Sequence, residues 1–153
     1  MPSNATAKIK SALKHREVLI FLLVAFVLGG VFWAYGFRSN PILRVGGQKY
    51  ALEVAATAAG LRQGLSGRTS MPRHTGMLFV FQKEGRQCFW MKDMRFPLDI
   101  IWVDSQKKVK HVARGLSPDT YPNAFCQAAR YVIELPAGEA AKTGIHKGQT
   151  LQF

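Results

Sequence analysis

Cysteine and acidic residues are the scarce components of this chain of 153 residues: it holds two Cys, and nine Asp and Glu against 21 Lys and Arg. Two cysteines exclude a disulfide-dense scaffold and any cysteine-built metal cluster. No Walker-type loop, no paired CxxC and no HExxH occurs, so the chemistries those motifs mark have no signal here. Internal repeats and low-complexity stretches are also missing. The acid deficit leaves a net charge of +12. Apolar residues make up 48% of the chain, enough for a core, which excludes global disorder.

Residues 18–37, VLIFLLVAFVLGGVFWAYGF, carry no charge. A helix of this length spans about 30 Å, the thickness of a bilayer core. The run is hydrophobic all round, and Trp33 and Tyr35 lie near its end, where amphipathic rings favour the interface. Lys8, Lys10, Lys14 and Arg16 cluster before it. The expectation is a signal anchor with residues 1–17 as a basic cytoplasmic tail, and the rest of the chain beyond the membrane. A cleaved signal peptide is the alternative, but the n-region is long and the apolar run exceeds a usual h-region. Residues 38–42 form a linker to a domain at 43–153.

From residue 38 onward there are 17 Lys plus Arg and 8 Asp plus Glu, a charge of +9. Anionic envelope polymers or lipid heads suit such a surface. Nucleic acid is not expected as a partner, because the topology delivers the domain away from the cytoplasm. Strand signals dominate. Alternation or short apolar runs at 48–55, 76–81, 87–92, 97–103, 108–116, 129–135 and 149–153 predict seven short strands. Residues 82–86 and 104–107 read as hairpin loops. A helix is expected at 58–66, with Thr57 as N-cap and Gly67 as the stop, and a short turn at 139–143 closed by Gly144. Gly60 and Gly64 would let that helix approach a strand closely. The fold class is therefore mainly β: a small open barrel or sandwich of about seven strands with one short helix, preceded by a single transmembrane helix.

Three blocks carry a family resemblance: GLSGRTSMPRHTGMLFVF, FWMKDMRFPLDIIWVD and ARYVIELPAGEAAKTGIHKGQTLQF. In order and spacing they resemble the domain of unknown function 192, also called uncharacterised protein family 0127, over residues 43–153. The resemblance implies a compact, mainly β domain with a small helix, usually preceded by a signal or one membrane helix. It implies no established activity. Lys92-Asp93-Met94 stands where the family often has Lys-Asn-Thr, which puts in doubt any role tied to that amide and hydroxyl.

Six residues are candidates for ligand binding. Asp99 shares a strand face with Ile101 and Val103, opposite Leu98, Ile100 and Trp102; both faces are apolar, so its carboxylate must be paired, hydrogen-bonded or protonated, and tying backbone amides or Arg68 is the structural alternative. Lys92 shares a face with Trp90, and an indole beside an ammonium suits a sugar or an anionic group; the alternative puts Trp90 in the core. Asp93 follows directly. Glu134 shares a face with Arg130 and Val132 on a strand expected to be half-exposed. Arg68 follows the helix stop, placed to clamp an anion or to pair with an acid such as Asp99. The histidines are scattered without metal-ligand spacing, and the methionines read as packing, so neither metal nor cofactor is expected. Cys88 and Cys126 are either one disulfide or two free thiols.

These features lead to an extracytoplasmic domain that binds a cell-envelope component, a glycan or an anionic group, in a chain tied to the lipid bilayer. An envelope hydrolase using Asp99 with Glu134 or Asp93 is one alternative, and a protein-interaction domain of a membrane complex is another. The oligomeric state is not legible.

Overall fold

The structure, a computed structural model, describes residues 40–153 and, upstream, Ile20, Leu23, Val24 and Phe26, which are helical and exposed. The expected membrane span at 18–37 and the tail before it otherwise lie outside the described residues. Among the described residues, no helix is long and apolar enough to cross a membrane.

Residues 40–153 form a compact unit. Its elements are β1 (Ile42–Val45), β2 (Gln48–Ala55), α1 (Ala58–Gln63), β3 (Thr75–Phe89), β4 (Leu98–Val103), β5 (Val109–Leu116), a 3₁₀ turn (Pro118–Thr120), β6 (Phe125–Pro136) and α2 (Glu139–Lys142). The six strands make a single curled sheet in the order β1-β2-β3-β6-β4-β5. Gly46 and Gly47 both have positive φ, as a tight hairpin between β1 and β2 requires. A Cβ on Gly46 would lie 2.5 Å from the Thr143 carbonyl oxygen, so no other residue fits there. β2 and β3 are parallel, joined through α1; every other neighbouring pair is antiparallel.

The C-terminal segment holds the two edges of the curl. Gln152 pairs with Arg44 of β1, and Thr150 pairs with Lys108 at the start of β5. The Leu151 N–H donates to the Lys107 carbonyl at 2.9 Å, and the Lys107 ammonium donates to the Phe153 carbonyl at 2.6 Å. This covers backbone groups that free edge strands would leave open to other chains.

The curl gives the sheet two buried faces. Inside pack Leu43, Tyr50, Leu52, Leu78, Ile101, Ile133 and Leu135, with Ala140, Ile145 and Leu151 from the C-terminal region. Outside pack Met77, Phe79, Leu98, Ile100, Trp102 and Val132, covered by Leu65 and Met91. The alternation expected for β4 and β6 holds: Ile101 and Val103 point one way, and Leu98, Ile100 and Trp102 the other.

Several boundaries differ from the sequence expectation. Residues 82–86 are not a hairpin loop. β3 runs through them, with an irregularity between the pairs Val80–Tyr131 and Gly85–Ala129, in which residues 81–84 lie opposite the single residue Arg130. An insertion of this kind bends the strand, and its residues need not be apolar, which is why it looked like a loop. β6 starts at Phe125, four residues early, because it pairs with the far half of β3. β1 was too short to show a pattern. Residues 149–153 form bridges and no strand of their own. α1 ends at Gln63, because Gly64 (φ 49°) breaks it before the expected stop at Gly67.

Asp99 is 0% exposed and sits on the inner face, as the structural alternative required. One carboxylate oxygen accepts the Gly115 N–H at 2.8 Å and the other accepts the Ala140 N–H at 2.8 Å. The second contact is needed because α2 has no side-chain cap of its own. Asp99 thus ties β5 and α2 to β4. Asp99→Ala strands both amides, so urea unfolding is expected to show a loss of about 3 kcal/mol. Asp99→Asn, which keeps an acceptor oxygen, loses less. A loss below about 1 kcal/mol for Asp99→Ala contradicts this assignment.

Candidate functional site

The outer face carries a cleft, and its walls can be built from local sequence. Thr57 starts α1 by accepting the Gly60 N–H at 3.1 Å. Gly64 ends the helix against the Phe79 ring; a Cβ there would come within 3.1 Å of it. This is the close approach that the paired glycines suggested. Leu65 then drops into the core, and Arg62 stays exposed.

The opposite wall is the turn after β3. Met91 is buried and pins it. With that apolar anchor in place, Trp90 turns outward and is 55% exposed, so the indole is at the rim and not in the core. Lys92 and Asp93 follow in a turn, Asp93 with a φ of 56° that Asp and Asn tolerate better than most residues. The turn is fastened to the end of α1. Ser66 Oγ donates to the Lys92 carbonyl at 3.1 Å, and the Gly67 N–H donates to the Asp93 carbonyl at 2.9 Å.

Aromatic rings pack beneath. Phe89 meets Phe79, Phe81 and Trp102 edge-on, with centroids 4.8, 6.5 and 6.0 Å away. The Trp102 indole N–H is satisfied by the Gln87 carbonyl at 3.0 Å. The cleft between these walls is a cavity of about 480 Å³, lined by Phe79, Phe81 and Phe89 of β3, by Arg62 of α1, by Trp90, Lys92 and Asp93 of the turn, and by Glu134 of β6.

Glu134 is the unusual member. It is 5% exposed, not half-exposed as its strand pattern suggested. Its β-sheet neighbours are Met77 of β3 and Ile100 of β4, neither of which can pair with it. Its Oε2 is buried without a hydrogen-bond partner. Burial pushes the carboxyl up to about 8, partly opposed by the positive charge of Arg68. A lone buried carboxyl lining a cleft can donate or accept a proton, or complete its hydrogen bonding with a ligand.

Trp90, Lys92, Asp93 and Glu134 therefore line the same cleft, and Arg68 and Asp99 do not. Arg68 makes a forked pair with Glu53 of β2, at 2.9 and 2.7 Å, beside a smaller cavity. Its hydrogen bonds hold the Glu53 carboxyl below the ordinary carboxylate range. The acid it meets is Glu53, not Asp99. An Asp99–Glu134 catalytic pair does not form, because Asp99 is on the inner face with both oxygens occupied. Cys88 and Cys126 face each other across β3 and β6 and are bonded, and Cys88 lines the cleft. The contributions of Arg62 and the three phenylalanines were not singled out. Phe79 and Phe81 lie within the expected strand 76–81 and Arg62 within the expected helix 58–66, with no motif to mark them. Among the described residues, no group of three His, Cys, Asp or Glu is placed to hold a metal ion.

Fold and site together define a curled half-barrel domain with a ligand-sized cleft on its outer face. The chain belongs to the DUF192 family, described as an uncharacterized ACR, which it matches over residues 41–153. Its structure is similar to that of a protein of unknown function from Novosphingobium aromaticivorans DSM 12444, with a TM-score of 0.67 and 28% identity over 74% of this chain and 82% of that one. It is similar also to a protein from Sinorhizobium meliloti 1021, provisionally described as a transcription regulator, with a TM-score of 0.66 and 26% identity over 72% of this chain and 89% of that one. The comparison with curated proteins gives no match.

The raised Glu134 carboxyl has a thermodynamic consequence. Its value moves from an ordinary 4.5 to about 8 on folding. Between those values the native state binds more protons than the unfolded state, so this group's contribution to stability falls as pH rises through the window. The slope approaches about 1.4 kcal/mol per pH unit. Glu134→Gln removes it. The difference between the stability curves of the parent protein and Glu134→Gln is therefore expected to grow from pH 5 to 8 in favour of the variant. Parallel curves across that range contradict the burial argument.

Proposed function

We propose that this domain is a binding module for a cell-envelope component, a glycan or an anionic group, taken up in the cleft between α1 and the turn at 90–94. The observation that carries the reading is the buried, unpartnered Glu134 in a cleft whose rim presents an exposed indole and an ammonium. Aromatic rings offer flat apolar faces to a sugar ring, and Lys92 and Arg62 offer charge to an anionic substituent.

We further propose that residues 18–37 anchor the chain in a membrane and that the domain lies outside the cytoplasm. The Cys88–Cys126 bond supports this, since such bonds persist in oxidising compartments. The positive charge from residue 38 onward suits the anionic polymers found there.

An envelope hydrolase is the second reading, now with Glu134 and Asp93 as its carboxyl groups, favoured by the unpartnered state of Glu134. The description of the Sinorhizobium relative suggests nucleic acid, so duplex DNA belongs in the test as a competing ligand.

Isothermal titration of the full chain in detergent micelles with soluble envelope glycan fragments is the direct test. Trp90→Ala is expected to weaken binding about tenfold, the loss of one aromatic stacking contact. It should leave the melting temperature unchanged, because the indole is exposed. Binding to duplex DNA in preference to glycan, or full affinity in Trp90→Ala, overturns the proposal.

A further inference from the structure

The floor and the rim of the cleft differ in kind. The cations, Arg62 and Lys92, are exposed at the rim, where water screens them, and Asp93 is exposed beside them. Of the residues that line the cleft, those buried besides Glu134 are apolar, Leu65 and Phe79, and Met77 and Ile100 flank Glu134 in the sheet. Arg68 acts on Glu134 from outside the cleft, with its charge already paired to Glu53. Among the described residues, no cation reaches the Glu134 carboxyl within ion-pair distance.

A charged ligand group pushed to this floor would lose its hydration with no opposite charge fixed there to replace it. A carboxylic acid on an apolar floor offers one O–H donor and one carbonyl acceptor. A hydroxyl or an amide presents the matching pair.

We propose that the cleft takes a ligand that places an uncharged hydroxyl or amide group against Glu134, and that this residue selects neutral rings over charged ones at the floor. The inference rests on the glycan-binding reading and narrows it: charged substituents are accepted at the rim and refused at depth. The raised carboxyl fits this, since it keeps Glu134 in its neutral form at pH 7.

Three β-1,4-linked trimers of gluco-configured rings and different charge separate the possibilities: tri-N-acetylglucosamine (neutral), tri-glucosamine (cationic) and tri-glucuronate (anionic). Each is titrated into the full chain in detergent micelles at pH 7. The neutral trimer is expected to bind at least about tenfold more tightly than either charged one, the size of a lost buried hydrogen bond. Glu134→Gln keeps a donor and an acceptor and is expected to stay within about threefold of the parent protein. Glu134→Leu removes both and is expected to lose about tenfold. Thermal melts of both variants confirm that the fold is retained.

Tightest binding of a charged trimer overturns this inference and leaves the cleft as a glycan site. Equal losses in Glu134→Gln and Glu134→Leu also overturn it, because the contact would then need an ionised carboxylate. No binding of any trimer overturns the glycan reading itself, and this inference with it.

Discussion

The second half of β6 is hydrogen-bonded along both edges, to β3 and to β4, its residues Val132–Leu135 are buried on both faces, and the rest of the domain takes its position from that segment. β3 lies on one side of it and β4 on the other. Its inward residues, Ile133 and Leu135, fill the interior of the curl, and Val132 packs outward. A strand in that position has no solvent face, so every polar side chain on it needs a partner or a purpose. Glu134 has no partner on the protein.

Two buried carboxyl groups show what decides between structure and function. Asp99 of β4 and Glu134 of β6 lie on adjacent strands, pointing to opposite faces of the same sheet. Asp99 meets two backbone amides that nothing else satisfies, and its oxygens are fully used. Glu134 is flanked by Met77 and Ile100, and one of its oxygens is left over. The first arrangement stabilises the fold. The second costs stability once the carboxyl ionises, and under the proposed function a ligand in the cleft would supply the missing partner.

The alternation of β4 and β6 was readable residue by residue, because side-chain direction along a strand is a local property. That is why Asp99 was correctly set with Ile101, and Glu134 with Val132. What those faces meet is not local. The elements that line the cleft with Glu134, α1 and the turn after β3, are far from it in the chain. The pairing of Arg68 with Glu53 depends on where the parallel β2–β3 crossover leaves both residues. Trp90 is at the rim, and not in the core as the structural alternative had it, because β3 stops at Phe89 and Met91 takes the buried place one residue later. Cys88 and Cys126 were visible as thiols, but only the register of β3 against β6 sets them opposite each other. The irregular stretch before Gly85 hid that register by resembling a loop.

The proposed binding depends on Glu134 being a neutral, unpartnered carboxyl in the cleft. Carbon-13 NMR of the Glu134 side-chain carboxyl, followed against pH in the ligand-free protein, reads that state directly. A single titration near pH 8 is expected. A midpoint in the ordinary glutamate range, about pH 4 to 5, would show a solvated or paired carboxylate and contradict it.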